Sequence, residues 1–358
     1  FTLSGTYAND NSLMENNGYR RYNMNFKLKH ELYKNLSLDF GARLADTETK
    51  GVGTGGGSYK IRSYDALMKA PVNGLYDQID IDPSTLPEEE YEEYVNATRS
   101  LKDQVNDYWR RKNERRYNFN AAINWNITKN FTYRAEGGYD YTFFQQKDWY
   151  GPRSSKAVQD GQGLPMGEWE KKDSWKLRAA HTLTWKQKFN KIHDVNIMVG
   201  QEYVASNSES NEIIGKFFQE DITPEKMFAS MAANSGATGS RTISSQLGQE
   251  DRTISFFGRA NYSLLDKYLL TFTIRADGSS KFTKGNRWGY FPAAALAWRV
   301  IEEPFMEPAK EFMSNLKLRL SYGTAGNNRI GNSLYETSYK AYSGGKYYGA
   351  GEEQNPHY

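Results

Sequence analysis

Cysteine is absent from the 358 residues, which excludes disulfide scaffolds, thiolate metal sites and cysteine nucleophiles. No stretch of about 18 residues is continuously apolar, so no transmembrane helix is expected. Charge of one sign is lacking too: 46 basic and 43 acidic residues leave +3, too even a balance for a nucleic-acid-binding surface. The four histidines (His30, His181, His193, His357) are scattered and show no His-Glu-x-x-His spacing for zinc. No Gly-x-Ser-x-Gly elbow occurs. Neither a catalytic residue nor a metal or cofactor is expected. Phe1 opens directly into an alternating segment, without the charged start and apolar stretch of a signal peptide. The expectation is therefore a cytoplasmic chain or one whose numbering begins inside a longer protein. Apolar residues are few, at 38%, with a mean hydropathy of −0.80.

What the chain has in quantity is aromatics: 26 Tyr, 18 Phe and 8 Trp. Disordered chains are poor in them, so this polar sequence is expected to fold. Its organising signal is alternation with period two. Tyr22, Met24, Phe26, Leu28, His30 and Leu32 share one parity, and Arg21, Asn23, Asn25, Lys27, Lys29 and Glu31 the other. After Tyr33-Lys34-Asn35 the pattern restarts through Leu36, Leu38, Phe40, Ala42 and Leu44. The same unit recurs over 117–127 and 131–143, 175–189 and 195–205, and 254–264 and 268–276, with further strands near 288–300 and 316–322. With Phe1–Ala8 this makes about eleven strands. Short turns near 33–35, 128–130, 190–194 and 265–267 alternate with long connections at 9–19, 45–115, 144–173, 206–252 and 277–286. The link at 301–315 carries Pro304 and Pro308 and reads as a short helical piece.

This rhythm is that of an all-β antiparallel up-and-down meander, for which two architectures compete. A soluble sandwich or barrel buries the apolar parity, as any sheet with one solvated face does. A transmembrane β-barrel turns it outward to lipid around a polar lumen. Large charged residues and Asn on the polar parity favour the membrane reading. So do aromatics near strand ends (Tyr22, Tyr117, Tyr141, Phe143, Trp175, Tyr268), where an interfacial girdle needs them, and the unequal connection lengths. An odd strand count argues for part of a larger barrel, since bacterial single-chain barrels have even numbers.

Between 254 and 331 a set of motifs stands in order: Phe257-Gly258-Arg259, Asp266-Lys267-Tyr268, Asp277-Gly278-Ser279-Ser280, Gly289-Tyr290-Phe291-Pro292, Glu303-Pro304-Phe305 and Ser321-Tyr322-Gly323-Thr324-Ala325-Gly326-Asn327-Asn328. Together with Ala70-Pro71-Val72-Asn73-Gly74 and Gly200-Gln201-Glu202-Tyr203, it resembles the barrel of the SusC/RagA family of TonB-dependent outer-membrane transporters of Bacteroidota. The resemblance implies a 22-strand barrel of which 1–358 supplies about eleven strands, with long extracellular loops, short periplasmic turns, and an N-terminal plug domain and TonB-contacting segment not seen here. It implies a SusD-like surface lipoprotein lid, TonB as a partner through the plug region, outer-membrane lipid around the wall, and import of oligosaccharides or peptides. Oligosaccharide import is the first expectation. The rivals are a peptide importer, a passive channel or secretion pore, and a soluble carbohydrate-binding β-protein.

Within the long loop 45–115, Thr85 and Glu88 form a capping box around Pro87. Tyr91, Tyr94, Val95, Thr98, Leu101 and Val105 share a face, which predicts a helix over 85–105. This is either a solvated lid helix or a contact for the lid lipoprotein. Gly53-Thr54-Gly55-Gly56-Gly57 lacks the Gly-Lys-Ser/Thr ending of a phosphate loop and reads as flexible. Asp77, Asp80 and Asp82 lack EF-hand spacing. Sugar rings stack on aromatics while their hydroxyls need planar polar partners. On that ground Trp149, Tyr150, Arg153 and Trp169 in one loop are candidate ligand contacts, with Tyr64, Asp65, Asn327 and Asn328 elsewhere. The alternative for each is loop–loop packing or a place in the girdle.

Overall fold

The computed structural model describes residues 1–12, 16–51, 85–87, 90 and 106–331 apart from 233, 235 and 237. The predicted helix beyond 85–87 and 90, Gly53–Gly57, the three aspartates, Ala70–Gly74, Tyr64 and Asp65 lie outside the described residues. The strands are β1 (Thr2–Asn11), β2 (Gly18–Tyr33), β3 (Leu36–Lys50), β4 (Tyr108–Asn126), β5 (Phe131–Tyr150), β6 (Met166–Phe189), β7 (His193–Gly215), β8 (Arg241–Leu247), β9 (Asp251–Leu264), β10 (Tyr268–Ser279), β11 (Trp288–Arg299) and β12 (Lys317–Gly323). They form one sheet whose path runs β1 to β7 and then β9 to β12, each strand beside its sequence neighbour, with β8 pairing β7. The eleven expected strands are the eleven of that path. Among the described residues α1 (Ser155–Gly161) and α2 (Pro224–Ala229) are helices in the long connections. No helix among the described residues is long and apolar enough to cross a membrane.

At the long connections the strands run farther than expected. β3 runs to Lys50 and β4 begins at Tyr108, so the connection expected at 45–115 is 51–107. Likewise 144–150, 166–173 and 206–215 are strand rather than loop. At 24 and 23 residues, β6 and β7 far exceed the 9–11 or so that cross a bilayer when tilted. The link between β11 and β12 is helical as read, with 3-10 turns at Val300–Glu302 and Pro304–Glu311.

Two compact units divide the chain, one of 1–124, 136–178 and 206–250, the other of 125–135, 179–205 and 251–358. In the first, β1 pairs β2 from Thr2↔Lys27 to Asn11↔Gly18, and β2 pairs β3 from Gly18↔Lys50 to Tyr33↔Leu36 with a bulge at Glu31–Tyr33. In the second, β9 to β12 form consecutive antiparallel pairs. Two of the tight turns are built from left-handed residues, Asn190 and Lys191 in one and Leu265 and Asp266 in the other, the conformation that lets strands with right-handed twist reverse in a short loop.

The second unit settles which face is covered. On β9, β10 and β11 one parity carries Phe256, Leu270, Phe272, Ile274 and Leu296, each between 44% and 49% exposed. The opposite parity carries side chains bonded across strands, as in Thr271 Oγ1 to Asn261 Oδ1 at 2.9 Å. A soluble sheet would bury the first set; a contiguous uncovered apolar face marks a surface made for another phase. Aromatic pairs bracket it. Tyr268 stacks on Trp298 at 6.4 Å near the turn, and Phe256 on Trp288 at 6.1 Å at the far end. From Tyr268↔Trp298 to Gly278↔Trp288 is ten residue steps. That is about 33 Å along a strand, or roughly 23 Å of height at a 45° tilt, close to the ~25 Å apolar band of an outer-membrane barrel.

Candidate functional site

The motifs that looked separate in sequence meet in the second unit. On the polar face, Arg275 of β10 donates from Nη2 to Glu202 Oε2 at 3.0 Å and to Ser255 Oγ at 2.8 Å, and from Nε to Asp277 Oδ1 at 2.6 Å. Its guanidinium lies 5.7 Å from the Phe257 ring centre. Glu202, Phe257 and Asp277 each come from a different motif. Gly200 is small for a reason: a Cβ there would meet the Phe257 ring at 2.5 Å and the His181 carbonyl at 2.8 Å. Near the 328 end, Lys281 Nζ pairs with Asp251 at 3.2 Å and reaches the Asn328 carbonyl at 3.4 Å. Gly326 packs against the Phe291 ring with no room for a side chain.

At the turn end, Glu303 joins two further motifs. It accepts from Tyr268 Oη at 2.7 Å, Trp298 Nε1 at 3.0 Å and Lys267 Nζ at 3.5 Å. The hydrogen bonds from Tyr268 and then Trp298 hold its carboxyl below the ordinary 4.5. A carboxyl depressed on folding contributes stability that is present above the unfolded pKa and lost as pH falls through the folded one. The 300–303 turn is therefore expected to loosen below about pH 4.5. Hydrogen-exchange protection of the Ile301 amide, bonded to the Leu316 carbonyl at 3.2 Å, checks this. Wild type should lose protection in that acid window, and Glu303→Gln should show no such step; equal acid sensitivity of the two would refute it.

In the first unit the outer ends of β4, β5 and β6 carry a different assembly on each face. Asp148, 3% exposed, accepts from Arg110 twice (Nε to Oδ1 at 2.5 Å, Nη2 to Oδ2 at 3.1 Å), from Tyr108 Oη at 2.5 Å and from Gln146 Nε2 at 2.6 Å. Beside it Tyr150 donates to Glu168 Oε2 at 3.2 Å, and Lys156 pairs with Glu168 at 2.7 Å. Burial, then the Asp148 carboxylate, pushes both phenols up, so Tyr108 and Tyr150 remain donors. α1, capped by Ser154 accepting from the Ala157 amide, closes this face by packing Ala157 and Met166 beneath Tyr150.

On the other face Trp149 packs with Phe218, Met227 and Phe228, flanked by Trp109, Trp169, Ile222 and Met231. Consecutive strand residues point to opposite faces, so Trp149 and Tyr150 cannot share a ligand. Both are buried, at 8% and 2% exposure. Trp169 is half-buried in the Trp149 cluster, Arg153 is exposed, and Asn327 and Asn328 are exposed at the other unit's margin. The structure thus joins Trp149 with Trp169, and it separates both from Tyr150. The sequence reading does not reach Arg275, Asp148, Arg110 or Lys147; only the motif positions of Glu202, Phe257 and Asp277 point toward the Arg275 cluster.

Residues 69–356 match the family model described as TonB dependent receptor-like, beta-barrel. Over 81 residues, 23% of this chain and 8% of the relative, the sequence is 54% identical to TonB-dependent receptor SusC of Bacteroides thetaiotaomicron. Over 94% of the chain it is 26% identical to TonB-dependent receptor P3 of Formosa agariphila, covering 32% of that protein. Among solved structures, the RagAB peptide transporter superposes with a TM-score of 0.68 at 19% identity, over 88% of this chain and 34% of that one. The RagAB peptide importer in its open-open state gives 0.69 at 18%, over 94% and 35%. The chain spans about a third of the length of the relatives it matches along most of its own.

Proposed function

The chain belongs to the TonB-dependent receptor-like β-barrel family, a family of outer-membrane transporters, and from that premise we propose that it forms part of an active importer of large nutrients, oligosaccharides first, working beneath a SusD-like lipoprotein lid. The observation that carries this is the two-faced sheet: uncovered apolar side chains on one parity, a bonded network around Arg275 on the other. In the closed barrel of the family the second face lines the lumen, and TonB acting through the plug opens a path along it. The wall does no covalent chemistry. Oligosaccharides are preferred because the connections are rich in aromatics beside Asn, Asp and Arg. Exposed Arg153, Asn327 and Asn328 are proposed ligand contacts, with Tyr64 and Asp65. Trp149, Tyr150 and Trp169 could touch ligand only if their covering segments withdrew, and otherwise hold the loops in place. The connection spanning 51–107, with the helix expected from its sequence at 85–105, is the proposed lid contact. Peptide import is the second reading, favoured by the fold shared with the RagAB peptide transporter.

Uptake of labelled oligosaccharides and peptides by cells with and without the full-length gene tests this. Oligosaccharide uptake should fall to background on deletion and on collapse of the proton gradient. Uptake of peptide alone would select the second reading, and uptake that survives gradient collapse would identify a passive channel.

A further inference from the structure

Beyond the aromatic belt, the lipid-facing parity of the first unit becomes basic. Tyr117 and Tyr141, with ring centres 6.2 Å apart, and Phe143 beyond Tyr141 end the apolar stretch on β4 and β5. Farther out on the same parity stand Arg111 of β4, Lys147 of β5 and Lys171 of β6. Arg111 and Lys147 line a cavity of about 350 Å³ with Trp109, Asn113, Glu225 and Phe228. Lys147 Nζ lies 4.8 Å from the Trp169 ring centre and 5.3 Å from that of Phe228, and Lys171 Nζ lies 4.4 Å from Trp169 on its own strand. Against these three cations Glu225 is the one carboxylate among the lining residues; Asp173 nearby is engaged by Tyr141 Oη at 2.7 Å. Among the described residues none of the three cations forms an ion pair. Close by, the indole N–H groups of Trp149 and Trp169 are buried without an acceptor among the described residues. Burial, then the Lys171 and Arg111 charges, holds the Lys147 ammonium below its usual range. The site is rich in donors and positive charge and short of acceptors, the composition of an anion site.

Its position selects the anion. A strand tilted at 45° climbs roughly 2.3 Å per residue. The three cations stand four to six residues past Tyr117, Phe143 and Trp175, so roughly 9–14 Å beyond the girdle. That exceeds the depth of a simple phospholipid head group and suits a larger head group built of phosphorylated sugars. The face looks away from the lumen, so a nutrient in transit does not pass it. We propose that Arg111, Lys147 and Lys171 bind the phosphorylated sugar head group of an outer-leaflet glycolipid on the outer wall of the barrel. This rests on the outer-membrane location and not on the transport reading.

The test uses the full-length protein extracted in mild detergent, with bound lipid identified by native mass spectrometry and counted as phosphate per protein. Wild type should retain phosphorylated glycolipid. Arg111→Gln/Lys147→Gln/Lys171→Gln should hold it roughly a hundredfold more weakly, since each basic residue near a charged membrane surface contributes about a factor of five. Lys147→Arg/Lys171→Arg should keep it. If the triple variant does not assemble, Lys147→Gln alone, about fivefold weaker, carries the test. Retention at the wild-type level in a folded variant would overturn the proposal. So would delipidated wild type binding inorganic phosphate as tightly as the glycolipid, which would make this a free-anion site. Uptake is unaffected as a readout, so failure here and failure of the transport reading are distinguishable.

Discussion

Asp148→Ala is expected to loosen the outer end of β4 and β5 by about 3–5 kcal/mol, the cost of leaving one member of a buried charge pair without the other. Arg110 is the stranded partner, its side chain 14% exposed against 4% for Asp148, and Tyr108 and Gln146 lose their acceptor with it. The effect should be local, because β4 to β7 continue well past this cluster. Hydrogen exchange reads it at the amides of Gly151, bonded to the Asp107 carbonyl at 2.8 Å, and Val158, bonded to that of Ser154 at 3.0 Å. Their protection should fall between a hundredfold and several thousandfold, each tenfold being about 1.4 kcal/mol. Replacing both partners, Asp148→Leu with Arg110→Leu, should recover most of it, as apolar substitution of a whole buried pair does. Unchanged protection in Asp148→Ala would show that α1 and the 151–165 segment are held by the Tyr150–Ala157–Met166 packing alone.

How far the fold could be read from sequence differs between the two ends of the strands. Where the sheet meets lipid on one side and polar groups on the other, alternation is clean. β9 and β10 were expected at 254–264 and 268–276, and they occupy Asp251–Leu264 and Tyr268–Ser279. Beyond that zone large polar and charged side chains stand on both faces. Gln145, Lys147 and Trp149 on one parity are as large and mixed as Gln146, Asp148 and Tyr150 on the other, so the periodicity that marks a strand fades while the strand continues. β8 escaped for a related reason. Its Thr-Ile-Ser-Ser-Gln run is short and alternates weakly, with Ile243 its one apolar residue, and the strand pairs with Glu209–Gly215 of β7.

The candidate sites divide along the same physical line. Motif residues Glu202, Phe257 and Asp277 could be picked out singly, but their convergence on Arg275 depends on strand neighbours up to 73 positions apart. Asp148 lies between Lys147 and Trp149, where it reads as a solvated loop acid. Its partners Arg110 and Tyr108 stand 38 and 40 positions away. Trp149, Tyr150 and Trp169 are candidates by residue type alone, and type does not say which face a strand residue occupies.

The central claim is that the apolar parity meets lipid, and one comparison on β10 tests it most directly. Phe272, 47% exposed on that parity, stands mid-way along the band from Tyr268 to Gly278, and Thr271 is its neighbour on the polar face. In the full-length protein refolded into vesicles, Phe272→Arg should lower the unfolding free energy by about 2–4 kcal/mol, the cost of a cation at the bilayer midplane on a barrel's outer face. Thr271→Arg gives up the hydrogen bond to Asn261, ordinarily worth about 1 kcal/mol, and places its charge among polar groups; its loss should stay near that figure. A larger loss for Thr271→Arg than for Phe272→Arg, measured by reversible urea titration of both, would contradict the assignment and put the apolar face inside a soluble protein.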